Sequence, residues 1–382
     1  MRFDESTLYN IYSKLNGKRY PLYDLALWKN GLAFKKIDFS DAGVPVIKIA
    51  ELNNGISGNT SYTKQIFSDD VHLKKEDLLF SWSGNPQTSI DIFKFQLQEG
   101  WLNQHIFKVT PNAEIVDRDY FYFLMKYLKP WFTQIASNKQ TTGLGHVTIA
   151  DIKRMSVLVP SLTMQKKIVD VLKPINDKIQ INASINNNLE QQAIAIFDNM
   201  FPNISAAEKT IGDIIIPKRG KNLLSKNAIL GNVPVVAGGL NPSTYHNTAN
   251  TIAPVLSISA SGANAGYVSL WNIPIWSSDS SFIDSSMSND VYFWYVLLKK
   301  RQNEIYDSQT GSAQPHIYPQ HIAAMPICDL NFNKVSNYTS TVTPIFELIG
   351  HNKIENMRLI TIRDALVPKL ISGDLDVSNI SL

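Results

Sequence analysis

The sequence has only one cysteine, Cys328, in 382 residues, and this scarcity excludes two classes of structure. A single thiol cannot build an intramolecular disulfide framework or a cysteine-based zinc site. No apolar run approaches the roughly 18 residues that a membrane-spanning helix needs. The first residues, Met1 to Ser6, also lack the basic-then-apolar pattern of a secretion signal. These absences predict a soluble, cytoplasmic protein.

The sequence also lacks the usual catalytic signatures. No glycine-rich loop ends in Gly-Lys-Ser or Gly-Lys-Thr, no Gly-x-Ser-x-Gly elbow occurs, and the seven histidines lack the spacing of a metal site. The segments 85–88 (Asn-Pro-Gln-Thr) and 241–244 (Asn-Pro-Ser-Thr) resemble the Asn-Pro-Pro-aromatic motif of adenine methyltransferases, but neither has the aromatic residue that stacks on a flipped base. Both are better explained as turns. We therefore predict no catalytic residue, no metal and no cofactor in this chain.

The net charge of +3 is too small to indicate nucleic-acid binding by itself. The distribution of charge is more informative, because residues 214–278 contain four basic residues (Lys218, Arg219, Lys221 and Lys226) and no acidic residue. Such a segment can face phosphates, and a solvated loop with a chance run of charge explains it equally well.

The chain contains an internal duplication. Asp24, Gly31 and Pro45 each recur 189 residues later, as Asp213, Gly220 and Pro234, and Ser83-Gly84 recurs 178 residues later. From His146 onward the separation is constant at 170, as in the pairs His146 with His316 and Met155 with Met325. The second copy has therefore lost 19 residues in its first part. Loops vary in length where a scaffold does not, so we expect the constant part to be scaffold and the variable part to carry function.

Each copy ends in a predicted long helix with the heptad spacing of a coiled coil. The two seams are Ile175, Ile179, Asn182, Asn186 and Leu189 in the first copy, and Ile345, Ile349, Asn352, Asn356 and Leu359 in the second. Thr343 followed by Pro344 predicts a helix start, and Pro202 and Pro368 are expected just past the two helix ends.

A pseudo-two-fold relation between the copies would make these helices antiparallel. Pairing positions whose numbers sum to 538 sets Asn182 against Asn356 and Asn186 against Asn352, with apolar pairs on either side. Buried asparagines fix register, because only one alignment lets each amide find another. In the alternative interpretation, the asparagines lie at the solvent edge of an ordinary amphipathic stripe. The poor pair in this register is Ile175 with Arg363.

The remainder of each copy has the pattern of a mixed α/β domain. Short β-branched runs predict strands at 44–49, 106–109, 255–259 and 267–271, and aromatic-rich helices are predicted at 120–129 and 291–305. We expect the aromatic residues of those helices (Phe121, Phe123, Phe293 and Trp294) to form core and not to stack on bases.

These features resemble the specificity subunits of Type I restriction-modification systems, often called HsdS. The resemblance covers the whole chain and is carried by three segments: 24–48, which includes Gly31-Leu32-Ala33-Phe34-Lys35 and Gly43-Val44-Pro45-Val46-Ile47-Lys48; 159–172, with Pro160, Gln165 and Ile168; and 363–374, which ends in Leu370-Ile371-Ser372-Gly373-Asp374. Two departures stand out. Residues 328–338 replace the Pro160 to Gln165 segment in the second copy, and Pro174 falls inside the central helix, where it predicts a kink or break that would alter methyltransferase docking.

The resemblance implies a non-catalytic subunit of four segments. These are a first target recognition domain (1–160), a central helical spacer (161–201), a second target recognition domain (202–335) and a C-terminal helical spacer (336–382). In that family each domain reads one half of a split double-stranded DNA site. The helices dock two methyltransferase subunits, which use S-adenosylmethionine for DNA methylation at adenine N6, and a motor-nuclease subunit can join them. Helices of about 25 residues would make a spacer of roughly 40 Å and a gap of roughly 10 to 15 base pairs.

The candidate DNA-binding residues are polar loop side chains able to bond base edges, and basic side chains able to contact phosphates. For base edges they are Asn85, Gln87, Thr88, Lys139, Gln140, Thr141, Thr142, Asn222, Asn264, Ser278, Gln309, Thr310 and Gln314; for phosphates they are Lys35, Lys36, Lys218, Arg219 and Lys221. Each is equally well explained as an ordinary surface polar group. Two other functions stay open at this point: a diverged, self-contained methyltransferase or nuclease, and a scaffold that binds proteins or sugars.

Overall fold

The structure, a computed structural model, describes residues 9–56, 60–140, 143–206, 208–311 and 314–378. The chain divides into two compact units. The first comprises residues 1–177 and 359–382, and the second comprises residues 178–358. Each of the two long helices contributes residues to both units, and each unit is therefore described with its own part of the helix pair.

The first unit contains thirteen strands among its described residues, together with four short α-helices and three 3-10 helices. The strands are β1 (Tyr9–Asn10), β2 (Gly17–Pro21), β3 (Ala26–Asn30), β4 (Val44–Ile47), β5 (Tyr62–Thr63), β6 (His72–Lys74), β7 (Leu78–Ser81), β8 (Ser83–Gly84), β9 (Asp91–Lys94), β10 (Glu99–Leu102), β11 (Ile106–Pro111), β12 (Gly145–His146) and β13 (Met155–Pro160). The short helices are α1 (Ile49–Asn54), α2 (Arg118–Tyr127), α3 (Lys129–Asn138) and α4 (Ile149–Arg154), and the long helix α5 (Leu162–Met200) starts in this unit.

The main sheet of the first unit is antiparallel and has the strand order β3-β11-β7-β9. Helix α2 packs on it, with Phe121 and Phe123 buried in the same core as Phe80. This placement confirms that the aromatic residues of α2 are core. A second sheet, β5-β4-β10-β6, encloses a smaller core around Val46.

The second unit repeats this plan with fewer residues. Its strands are β14 (Lys209–Thr210), β15 (Lys218–Arg219), β16 (Val233–Val236), β17 (Thr244–His246), β18 (Val255–Ser259), β19 (Val268–Trp271), β20 (Trp276–Ser277), β21 (Ser280–Asp284) and β22 (Pro326–Ile327). Its helices are α6 (Val291–Lys300), α7 (Gln302–Asp307), α8 (Pro319–Ala323) and most of the long helix α9 (Phe332–Ser372). Phe293 and Trp294 of α6 are buried, as predicted.

The topology confirms the duplication. The main sheet of the second unit has the order β15-β21-β18-β19, in which each strand takes the place of its counterpart in β3-β11-β7-β9. The smaller sheets share a parallel pair in the same register, because Val46 faces Trp101 in the first unit and Val235 faces Trp276 in the second. The predicted fold class, two similar mixed α/β domains and two long antiparallel helices, is confirmed.

The long helices begin earlier than the proline pattern predicts. Helix α5 begins at Leu162 and α9 at Phe332, and both continue through an internal proline, Pro174 or Pro344. The predicted helix start at Thr343-Pro344 is therefore wrong, and α5 does not break at Pro174. Each proline removes one backbone hydrogen bond, but buried neighbours such as Leu172 and Phe346 hold the helix against the core.

Of the two prolines predicted to mark the far ends of the helices, one is correct and the other is wrong. Helix α5 ends two residues before Pro202, as predicted, whereas α9 passes Pro368 and ends at Ser372. The residue that ends α9 is Gly373, whose φ of 76° only glycine adopts without strain. Because both helices exceed the 25 residues assumed above, the 40 Å spacer estimate rests on helices that are too short.

The predicted register of the seam is correct in the second unit. The Asn182 amide nitrogen donates to Asn356 Oδ1 at 2.9 Å, and the Asn352 amide nitrogen donates to Asn186 Oδ1 at 2.8 Å. Asn182 is only 1% exposed, so the solvent-edge interpretation is wrong for this asparagine, and its three partners in the layer are half-buried. On one side of this layer, Leu189 and Ile349 belong to the same apolar core.

In the first unit, the mismatched pair of the register is resolved by a neighbouring residue. Arg363, opposite Ile175, donates to Oδ1 of the buried Asn176 at 3.3 Å. One turn away, Leu172 and Leu366 pack in the main core. The polar mismatch therefore becomes a hydrogen bond between the two helices. Among the residues described, no helix is both long enough and apolar enough to span a membrane.

Candidate nucleic-acid interface

Polar and aromatic side chains collect at one edge of the main sheet in the first unit, which we call the first loop edge. Asn30 ends β3, Trp82 follows β7, and His105 precedes β11; because these strands are antiparallel neighbours, the three positions meet at the same edge. The Trp82 indole nitrogen donates to Asn30 Oδ1 at 3.0 Å, and the Trp82 and His105 rings lie 5.6 Å apart.

A serine and a histidine complete the first loop edge. Ser83 and His146 face each other across the β8–β12 pair, and Ser83 Oγ lies 2.9 Å from His146 Nδ1. Burial, aided by the neighbouring His146, lowers the pKa of His105. The His105 imidazole is therefore neutral at pH 7; its Nε2 lies 3.2 Å from Gln104 Nε2, and its Nδ1 is buried.

The second unit has the same construction at the same edge of its sheet, the second loop edge. Arg219 ends β15, Asp279 precedes β21, and Ser261 forms an antiparallel bridge with His316. The Arg219 guanidinium and the Ser261 hydroxyl donate to the two different carboxylate oxygens of Asp279. A charged network therefore stands where the first unit has an amide, an indole and imidazoles.

Comparison with known proteins identifies the fold and its relatives. Residues 16–191 match the family model described as the Type I restriction modification DNA specificity domain. This segment contains the first loop edge, and the second unit repeats its main-sheet order. This part of the chain is therefore similar to Type I DNA specificity domains.

The named proteins to which this chain is similar are distant in sequence. The chain is 26% identical to the Type I restriction enzyme HindI specificity subunit of Haemophilus influenzae, over 47% of this chain and 40% of that protein. It is 25% identical to the MjaIX specificity subunit of Methanocaldococcus jannaschii, over 73% of each. The crystal structure of the S subunit from M. genitalium shares the fold, with a TM-score of 0.50 and 18% identity over 94% of this chain and 96% of that one.

In the first unit, three of the predicted DNA-binding residues, Asn85, Gln87 and Thr88, directly follow β8 of the first loop edge. Lys35, Lys36, Asn85, Gln87, Thr88 and Gln140 are exposed, and Thr141 and Thr142 fall outside the described residues. Asn85 Oδ1 accepts from the backbone N–H groups of Gln87 and Thr88, which confirms the turn at 85–88. Lys139 is already engaged, because its ammonium group lies 2.7 and 2.8 Å from the two carboxylate oxygens of the buried Asp151.

In the second unit the candidates divide into exposed and structural side chains. Lys218, Arg219, Lys221, Asn222, Thr310 and Gln314 are exposed. Ser278 is only 3% exposed and accepts from the Leu223 backbone, so it supports a loop and cannot reach a base edge. The amides of Gln309 and Asn264 donate to the backbone oxygens of Ala265 and Gly238, and these two side chains also act first as loop supports.

Sequence reasoning missed the side chains at the sheet edge itself, namely Asn30, Trp82, His105, Ser261 and Asp279. The duplication does align Ser83 with Ser261 and His146 with His316, and these aligned pairs are the signal that points to the edge. Strand order decides the rest, and strand order is not readable from short β-branched runs. Within the described residues, no group of three or more His, Cys, Asp or Glu side chains is placed to hold a metal ion.

Proposed function

We propose that this chain is the DNA-reading subunit of a Type I restriction-modification complex, in which each loop edge reads one half of a split target. One observation carries the proposal: the same sheet edge occurs in both units with the same backbone register, but its side chains differ. A protein that recognises two different half-sites needs the same backbone arrangement in both domains and different polar side chains on it. The polar composition of these edges suits hydrogen bonds to base edges in the major groove.

Exposed lysines supply the sequence-independent part of binding. Lys35 and Lys36 follow β3 in sequence, and Lys218 and Lys221 lie on either side of Arg219 in sequence. Their ammonium groups contact phosphates and set the register of each domain on the duplex. In this role they raise the affinity for all DNA equally and make binding dependent on salt.

The chain itself is proposed to be non-catalytic, and its helices to dock two methyltransferase subunits that bind S-adenosylmethionine; a motor-nuclease subunit can join the complex. The purified chain, incubated with DNA and labelled S-adenosylmethionine, is expected to transfer no methyl group. Transfer is expected once the cognate methyltransferase subunit is added. Methylation of DNA by the chain alone would establish instead that it is a self-contained enzyme.

The proposal also predicts the form of the target sequence. In cells that carry this chain with its methyltransferase, sequencing of N6-methyladenine is expected to give two short motifs separated by an unread gap of fixed length. Two reading edges on one chain require such a split site. A single continuous motif would contradict the assignment of one half-site to each unit.

A further inference from the structure

The two loop edges correspond residue by residue. In the first unit, the backbone N–H of Trp82 donates to the backbone carbonyl of His105, and the backbone N–H of Val147 donates to the backbone carbonyl of Trp82. In the second unit, the Ala260 N–H donates to the carbonyl of Asp279, and the Ile317 N–H donates to the carbonyl of Ala260. These matching backbone bonds make Asp279 the equivalent of His105, independently of any sequence alignment.

The first strand of each main sheet gives the second equivalence. Asn30 pairs with Phe107, two residues after His105, and Arg219 pairs with Ser281, two residues after Asp279. Arg219 is therefore the equivalent of Asn30. The frame is unchanged, because Ser83 faces His146 in one unit and Ser261 faces His316 in the other.

We infer that two positions determine which bases each unit reads. In the first unit they are occupied by Asn30 and His105, and in the second unit by Arg219 and Asp279. The Ser-His pair beside them is shared by both units. This inference rests on the proposed function and extends it to individual residues. A constant backbone with exchanged polar side chains is the arrangement that changes recognition without changing the fold.

The second loop edge is built to recognise a guanine. The Asp279 carboxylate holds the Arg219 guanidinium, while 40% of the Arg219 side chain stays exposed. An arginine fixed in this way can present two parallel N–H groups to O6 and N7 of guanine, and no other base offers two acceptors in that geometry in the major groove. Asp279 acts as a positioning residue, because it orients the fork and neutralises part of its charge.

The first loop edge has a different donor set. The Trp82 indole occupies one acceptor site of Asn30 Oδ1 and fixes the amide group, whose nitrogen is left to donate to a base. One donating nitrogen suits the N7 acceptor that adenine and guanine share, and it therefore discriminates less sharply than the two N–H groups of an arginine. We therefore expect the sharper half of the motif to be the one read by the second unit.

Arg219→Lys in the complete methyltransferase complex tests the inference directly. Lysine keeps the charge but loses the planar fork. The expected result is a loss of roughly 10- to 100-fold in preference for one guanine of one half-motif, with the other half-motif unchanged. Binding to random DNA and the salt dependence of binding should stay as in the wild type, because no phosphate contact is lost. Asp279→Asn is expected to relax the same position by a smaller factor.

A matched control is Arg118→Lys, the same chemical change at an exposed arginine beyond the opposite end of β11. It should leave both half-motifs unchanged. If Arg219→Lys retains the full motif, Arg219 acts only as a charge and the inference is wrong. The inference would also be wrong if Arg219→Lys lowered the melting temperature and weakened binding to all DNA equally. That result would show that the Arg219–Asp279 pair is purely structural. If the wild-type complex itself methylates no split motif, the proposed function fails instead.

Discussion

Asp151→Asn is expected to lower the free energy of unfolding of the first unit by roughly 3 kcal/mol, the low end of the cost of breaking a buried ion pair. Asp151 is fully buried and accepts from the Lys139 ammonium at 2.7 Å and from the Arg154 guanidinium at 2.6 Å. It also accepts from the backbone N–H of Thr148 and from its hydroxyl. An asparagine cannot satisfy two cations, and it turns an N–H group toward them. The low end applies because Lys139 keeps 37% of its side chain in water.

Thermal unfolding measures the effect. For a unit of about 200 residues, a loss of 3 kcal/mol corresponds to a fall of about 6–12 °C in melting temperature. Glu114→Gln removes an exposed carboxylate from the same unit and should change stability by no more than about 0.5 kcal/mol. A melting temperature for Asp151→Asn that equals that of Glu114→Gln would show that the Asp151 network contributes nothing to stability.

The pKa of the Asp151 carboxylate predicts how the difference in melting temperature between wild type and Asp151→Asn depends on pH. Burial alone raises the pKa of Asp151, but the bonds from Lys139, Thr148 and Arg154 outweigh it, and the pKa lies below its usual value of 3.8. A lowered pKa in the folded state stabilises the protein above the unfolded value, and the contribution is lost as the pH falls through the folded value. The gap in melting temperature between wild type and Asp151→Asn should therefore be constant above about pH 5 and close only below about pH 4.

This network shows why part of the structure was not predictable from sequence. Thr148 and Asp151 have the spacing of a helix cap, which is a local pattern, but the ion pair with Lys139 depends on where α3 ends against α4. Lys139 was for this reason assigned to DNA. The counterpart of Asp151 at the constant separation of 170 is His321, so the duplication gave no warning either. Side chains whose partner lies on another element need the tertiary structure.

The helix seam was predictable because its constraint is periodic and exclusive. Seven-residue spacing selects the face, and only one register pairs both asparagine layers. The helix starts were not predictable from the prolines. A proline beyond the first turn costs a helix one hydrogen bond, and the burial of Val342 and Phe346 around Pro344 overrides that cost. The loop edges were missed for a third reason: they form where strand ends meet, and the order of the strands decides which ends are neighbours.

Asn182→Leu is expected to destabilise the second unit by roughly 1–3 kcal/mol, the cost of leaving hydrogen-bonding partners unsatisfied. The Asn182 amide donates both to Asn356 Oδ1 at 2.9 Å and to Glu355 Oε2 at 2.7 Å. Adding Asn356→Leu should restore most of the loss, since two leucines pack as an apolar layer. Urea unfolding of the two single variants and the double variant gives the coupling energy, which should be at least about 1 kcal/mol.

Replacing both layers, Asn182 with Asn356 and Asn186 with Asn352, by leucine is expected to keep the helices but remove the reason for a single register. In an all-apolar seam, other registers and pairing with other copies of the chain are no longer disfavoured, because no buried amide would be left without a hydrogen-bond partner. Size-exclusion chromatography with light scattering should then show dimers and larger species. Asn188→Leu, the same exchange at an exposed position of α5, should leave the mass unchanged. A fourfold variant with the same mass as Asn188→Leu would mean that the apolar core around Leu189 and Ile349, and not the amides, fixes the helix pair.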